Sequence, residues 1–157
     1  MAEKYRAARL FTIDQANATL PLVRAITTDL SHIAQEVVER RGRLQLLTAG
    51  RKLKAGDPYA DELAQTEKEL EKDAARLQEY VAELRALGVE PKGAIDGLID
   101  FPSMLDGQLV FLCWKLGEPE ITHWHPIEAG YAGRQSLVAG TMAGASGEED
   151  EFEIQRP

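Results

Sequence analysis

Two stripes of apolar residues at seven-residue spacing run through the first half of the chain and leave it few ways to fold. Val23, Leu30, Val37 and Leu44 form one series, and Ile26, Ile33 and Leu47 a second one three residues later, interrupted at Arg40. That is an a/d seam on a long helix. Leu63, Leu70, Leu77 and Leu84 repeat the spacing, flanked by Ala60, Ala74, Val81 and Leu87. Start and stop signals bracket both stripes. Thr12-Ile13-Asp14-Gln15 has the form of a capping box, which places a helix start near Ile13, and Gly50 supplies a stop. Asp57-Pro58 sets a cap residue before a first-turn proline, and Gly88 closes the second helix. Pro21 predicts a kink or a fresh helix start. The short linker Arg51 to Gly56 folds the two helices back as an antiparallel hairpin with arms roughly 45 to 55 Å long. Arms of that length overhang any core the remaining chain can build, so the seams predict self-association. The competing outcome is an antiparallel pair that buries both seams reciprocally.

After Gly88 the apolar period changes from helical to two. Gly97-Leu98-Ile99-Asp100-Phe101 reads as a short strand ended by Pro102, and Asp106-Gly107 as a hairpin turn. Gln108 to Lys115 follows as a β-rich run, and Ile121 to His125 as a third strand. Alternation separates Leu109, Phe111 and Cys113 from Val110, Leu112 and Trp114, and sets Ile121, His123 and His125 on one face opposite Thr122 and Trp124. The fold class expected is α+β: a helical hairpin over 12–88, then a three-stranded antiparallel sheet and Gly-rich loop over 89–138, in one domain spanning 1–138. Residues 139–157, small and acidic, read as a flexible tail.

At 157 residues the chain suits one domain. Its 18 Lys and Arg against 26 Asp and Glu leave a formal charge of −8. That sign repels phosphate backbones and anionic lipid, so neither nucleic acid nor membrane is expected as a partner. One cysteine, Cys113, precludes an intrachain disulfide and fits a cytoplasmic protein without an export signal. Arg40, Arg41, Arg43, Arg51, Lys52 and Lys54 make the hairpin tip basic. Such a tip is either a dock for an acidic partner, the tail of another copy included, or a solvated helix end. His32 falls outside the seam and is read as surface.

Several motifs in order carry a resemblance. Phe11-Thr12, Ala16-Asn17, Leu20-Pro21-Leu22-Val23, Gly97 to Pro102, Leu112 to Glu118, Trp124-His125 and Gly130 to Gln135 together resemble the bacterial family called domain of unknown function 2203 (DUF2203), over about residues 10 to 137. The resemblance implies no activity. It does place Asp100, Trp114, Glu118, His125 and Arg134 in a shared pattern and leaves His123 outside it.

Three chemistries compete for the strand region. His123-Trp124-His125 sets two imidazoles on one face, which with Glu118 makes a candidate divalent-metal site. Glu120, Glu128 or Asp100 are further oxygen donors. Cys113 with His125 has the composition of a thiolate and its base, but flanking apolar residues predict an inert buried thiol. The third reading gathers Asp100, Glu118, His125 and Arg134, with Trp114 at the margin, where strand ends meet the Gly-rich loop. Arg134 then clamps an anion, or else closes an internal ion-pair network. No phosphate loop, dinucleotide fingerprint, nucleophile elbow or HExxH occurs, and no cofactor is indicated beyond that candidate metal. Two function classes remain. One is a homo-oligomeric interaction or scaffold protein built on the hairpin, and the other a small-ligand or metal-binding protein, enzymes included, using the polar cluster.

Overall fold

The computed structural model describes residues 5–49 and 56–137. Helix α1 runs from Ile13 to Thr48 and α2 from Pro58 to Ala86. Both start on the expected signals. Thr12 Oγ1 accepts from the Gln15 amide while Gln15 Oε1 accepts from the Thr12 amide, each at 3.0 Å, and Asp57 caps α2 through Tyr59 at 2.9 Å. Gly88 ends the hairpin in the left-handed region, φ +94°. Gly50, like Arg51, Lys52, Lys54 and the acidic stretch 139–157, lies outside the described residues. α1 is continuous through Pro21. The ring sits on an exposed face, where losing one helical bond to Asn17 does not require a restart.

The sheet has five strands, two more than expected: β1 (Glu90–Gly93), β2 (Leu98–Leu105), β3 (Gln108–Lys115), β4 (His123–Pro126) and β5 (Gln135–Ser136). They pair in chain order, each antiparallel to the next. The two additions are edge strands with almost no propensity signal. β1 is Glu-Pro-Lys-Gly, and β5 is two residues inside the segment read as a Gly-rich loop. β2 passes through Pro102 instead of stopping there. The Pro102 carbonyl accepts from the Phe11 amide at 2.7 Å. In an antiparallel strand a residue's N and O point to the same side, so the missing donor faces the N-terminal segment and removes no bond to β3. β4 begins two residues late because Ile121 turns into the core, its amide bound by Asn17 Oδ1 at 2.8 Å.

One sheet face packs on the near half of the hairpin. Ile99, Phe101, Leu112 and Trp114 are buried there with Phe11, Leu20, Val23, Leu30, Ile33 and Leu84. Each such side chain stabilises the fold by about 1.5–3 kcal/mol. Fully buried positions on α1 end at Val37. Farther out, Leu44, Leu47, Leu63 and Leu70 are half-buried, and ions join the helices. Arg40, the residue that interrupts the seam, contacts Asp73 and lies 3.3 Å from Glu69, and Arg43 lies 2.8 Å from Glu62. These two tip arginines are therefore paired within the hairpin. His32 is exposed beside Glu36.

Asp73 is 8% exposed, so removing its partner strands a largely desolvated carboxylate. Arg40→Ala is expected to lower unfolding free energy by about 1–3 kcal/mol in urea titrations. The double change Arg40→Leu with Asp73→Leu, which restores the seam, should recover most of that loss.

Candidate functional site

The site is built on the face turned away from the hairpin. Asp106 (φ 49°) and Gly107 (φ 77°) form a two-residue turn with both central residues left-handed, the geometry that continues the strand twist. That turn sets Leu105 opposite Gln108 and, stepping back along the ladder, Asp100 opposite Cys113. β4 then places His123 beside Cys113 and His125 beside Phe111. Alternation sends Ile99, Phe101, Leu112 and Trp114 to the core and leaves Asp100, Cys113, His123 and His125 together on the other face.

His125 is 1% exposed and Asp100 2% exposed, and His125 Nε2 lies 3.0 Å from Asp100 Oδ2. His125 Nδ1 lies 2.7 Å from the Pro126 carbonyl. A carbonyl only accepts, so Nδ1 carries the proton and Nε2 is the atom turned to the carboxylate. Burial pushes the Asp100 carboxyl above its ordinary range, against the opposing pull of His125, Lys92 and a hydrogen bond from Cys113. The Cys113 thiol donates that bond, and burial with the nearby Asp100 charge pushes it up to about 12. A thiol held so high is no nucleophile, as its apolar neighbours in sequence suggested. The Asp100, Cys113 and His125 donor atoms lie within 4.8 Å of one another.

A pocket of about 230 Å³ opens over this trio, walled by Lys92, Leu98, Ile127, Glu128 and the 129–131 loop. Lys92 Nζ sits 5.0 Å from the Phe111 ring centre, and Tyr5 packs edge-on against the same ring at 5.1 Å. Burial, together with Glu90 and Asp100, raises the Tyr5 hydroxyl above its ordinary pKa. Two clefts of about 260 and 360 Å³ lie over Arg40 and Arg43 on the hairpin, but paired charges line them.

The four residues expected to converge divide into two pairs. Asp100 and His125 form the floor just described. Glu118 and Arg134 form a separate clasp, in which Arg134 Nη2 donates to both Glu118 oxygens at 2.8 and 3.0 Å. Glu118 Oε1 also accepts from the Lys115 amide at 2.7 Å. Of the expected metal trio, His123 Nδ1 lies 4.0 Å from Glu118 Oε2 and 2.8 Å from Thr122 Oγ1, whereas His125 turns to Asp100. Trp114 belongs to the core face, its indole donating to the Glu118 carbonyl at 2.8 Å. Tyr5 and Lys92 escaped sequence reasoning; Glu128 entered it only as a further oxygen donor, and Cys113 was set beside His125 but read as an inert buried thiol. The two-residue turn carried the signal for Cys113, since it dictates the partner of Asp100.

Arg134 is expected to act as a structural clasp. Arg134→Ala should destabilise by about 2 kcal/mol, a fall of roughly 6 °C in Tm by calorimetry, because a half-buried carboxylate loses its cation.

No helix of the described residues is long and apolar enough to cross a membrane. No curated protein and no solved structure matches the chain. The model of a family described as an uncharacterized conserved protein, DUF2203, matches residues 9–137. The chain belongs to that family.

Proposed function

We propose that this DUF2203 member is a small-ligand-binding protein whose site is the pocket over Asp100, Cys113 and His125. One observation carries the reading: a nearly fully buried carboxylate and imidazole form the floor of a cavity instead of being sealed under apolar side chains. Burying two polar, titratable groups is expensive, and an apolar pair of similar volume would serve stability as well or better. Pockets that hold ligands have this make-up, a mainly apolar wall with a few convergent polar groups. About 230 Å³ is below the roughly 300–1,000 Å³ of drug-sized sites and matches about eight water molecules. Such a volume suits a small polar metabolite and is too small for a dinucleotide. Among the pocket walls, Lys92 offers a cation and Tyr131 an aromatic ring. In nuclear magnetic resonance titrations with fragments bearing carboxylate or amine groups, shifts are expected at Asp100, Cys113, His125 and Gly130. Fragments that perturb only the hairpin clefts would count decisively against the reading.

A second reading, an oligomeric scaffold, draws on the far half of the hairpin. Beyond Val37, α1 continues for about 16 Å, and Val38 and Leu46 are 52% and 77% exposed. Covering them with a second copy predicts a dimer mass by light scattering at micromolar concentration. A single 17.3 kDa species would remove this reading.

A further inference from the structure

We infer that the pocket floor is a divalent transition-metal site, with Cys113 Sγ, His125 Nε2 and Asp100 Oδ2 as protein ligands and a fourth position facing the pocket. This deepens the pocket reading but does not depend on an organic ligand, because metal uptake and fragment binding are measured separately.

Geometry comes first. The three donor atoms lie within 4.8 Å of one another on three adjacent strands, so the sheet rather than a loop positions them. Ligands around a tetrahedral zinc ion, at bonds of roughly 2.0–2.3 Å, stand roughly 3.3–3.8 Å apart. The Nε2 to Oδ2 separation of 3.0 Å is already close to that, so the ion takes the place of the shared proton with small side-chain shifts.

Orientation is the second point. A metal-bound histidine commonly donates its other ring N–H to a carboxylate or carbonyl, which fixes the tautomer and turns the free nitrogen to the ion. His125 Nδ1 does this with the Pro126 carbonyl, leaving Nε2 facing Asp100.

Charge decides the valence. The ion itself displaces the proton that burial otherwise keeps on the Cys113 thiol. The ligand set then carries two negative charges, which a divalent cation neutralises and a monovalent one does not. Soft sulfur beside imidazole and carboxylate selects zinc-type ions over magnesium, which prefers oxygen and water. Glu118, by contrast, is held on Arg134 and the Lys115 amide, which argues against it as the oxygen ligand. The pocket supplies the entry path and leaves the fourth position open to water or a small ligand.

The test uses untagged, chelator-treated full-length protein titrated with Co²⁺, then Zn²⁺. One equivalent of Co²⁺ should raise a near-ultraviolet thiolate-to-cobalt charge-transfer band that Zn²⁺ abolishes and Mg²⁺ does not. About two protons should leave per ion, one from the thiol and one from the Asp100–His125 pair. Cys113→Ser should lose the band, and Asp100→Asn should weaken Zn²⁺ binding by at least about a hundredfold. Circular dichroism establishes that each variant folds, and His32→Gln, on the exposed hairpin surface, should bind as the parent does. The cobalt spectrum of the unaltered protein stands even where a variant does not fold. Folded parent protein that shows no charge-transfer band at saturating Co²⁺, or Cys113→Ser that keeps the band, would overturn the inference.

Discussion

The apolar contact between one face of the sheet and the near half of the hairpin governs where everything else can lie. Ile99, Phe101, Leu112 and Trp114 are driven against Leu20, Val23, Leu30, Ile33 and Leu84 by the loss of water from their surfaces. Because side chains alternate along a strand, that contact leaves Asp100, Cys113 and His125 no choice of side. A slip of one residue in β2 would carry Asp100 into the core and expose Phe101 to solvent, and one in β3 would exchange Cys113 with Leu112 in the same way. The polar floor is thus held by the register of an apolar core packed on the opposite face of the same sheet.

Much of this was legible in the sequence, and the misses have physical causes. Seven-residue spacing marked both helices, and the caps at Thr12 and Asp57 marked their starts, since capping depends only on neighbouring residues. Asp106-Gly107 announced the central hairpin. Its consequence for the site, that a two-residue loop pairs Asp100 with Cys113, follows from counting alone. The position of His125 does not follow. A seven-residue connection separates β3 from β4, and Ile121 is drawn into the core by Asn17, a partner far away in the chain. β1 and β5 were invisible because edge pairing asks almost nothing of side chains, and Pro102 misled because its tolerance depends on which side its nitrogen faces.

The separation of Asp100–His125 from Glu118–Arg134 reflects two environments. Glu118 sits at the turn after β3, where Arg134 and a backbone amide reach it and its side chain keeps partial contact with water. There an ion pair is tolerated at modest desolvation cost. Asp100 sits mid-strand at 2% exposure, pulled on by Lys92 and His125. Its partner must be compact and able to share a proton, and the imidazole of His125 meets both needs.

The two pairs nevertheless serve one construction. Arg134 follows the 127–133 segment directly, and its bond to Glu118 ties that segment to the end of β3. Gly133 packs so tightly inside the loop that an added Cβ would stand 2.5 Å from the Ala129 Cβ. Tyr131 is flanked by Lys115 at 5.7 Å and Arg134 at 4.8 Å, which steadies the aromatic part of the wall. The clasp therefore sets the height of the wall above the floor, and with it the volume available over Cys113 and His125. Loosening the clasp would free the wall more than the floor, because the floor hangs on the register of three strands and the wall on this ion pair with the short β4–β5 ladder beside it.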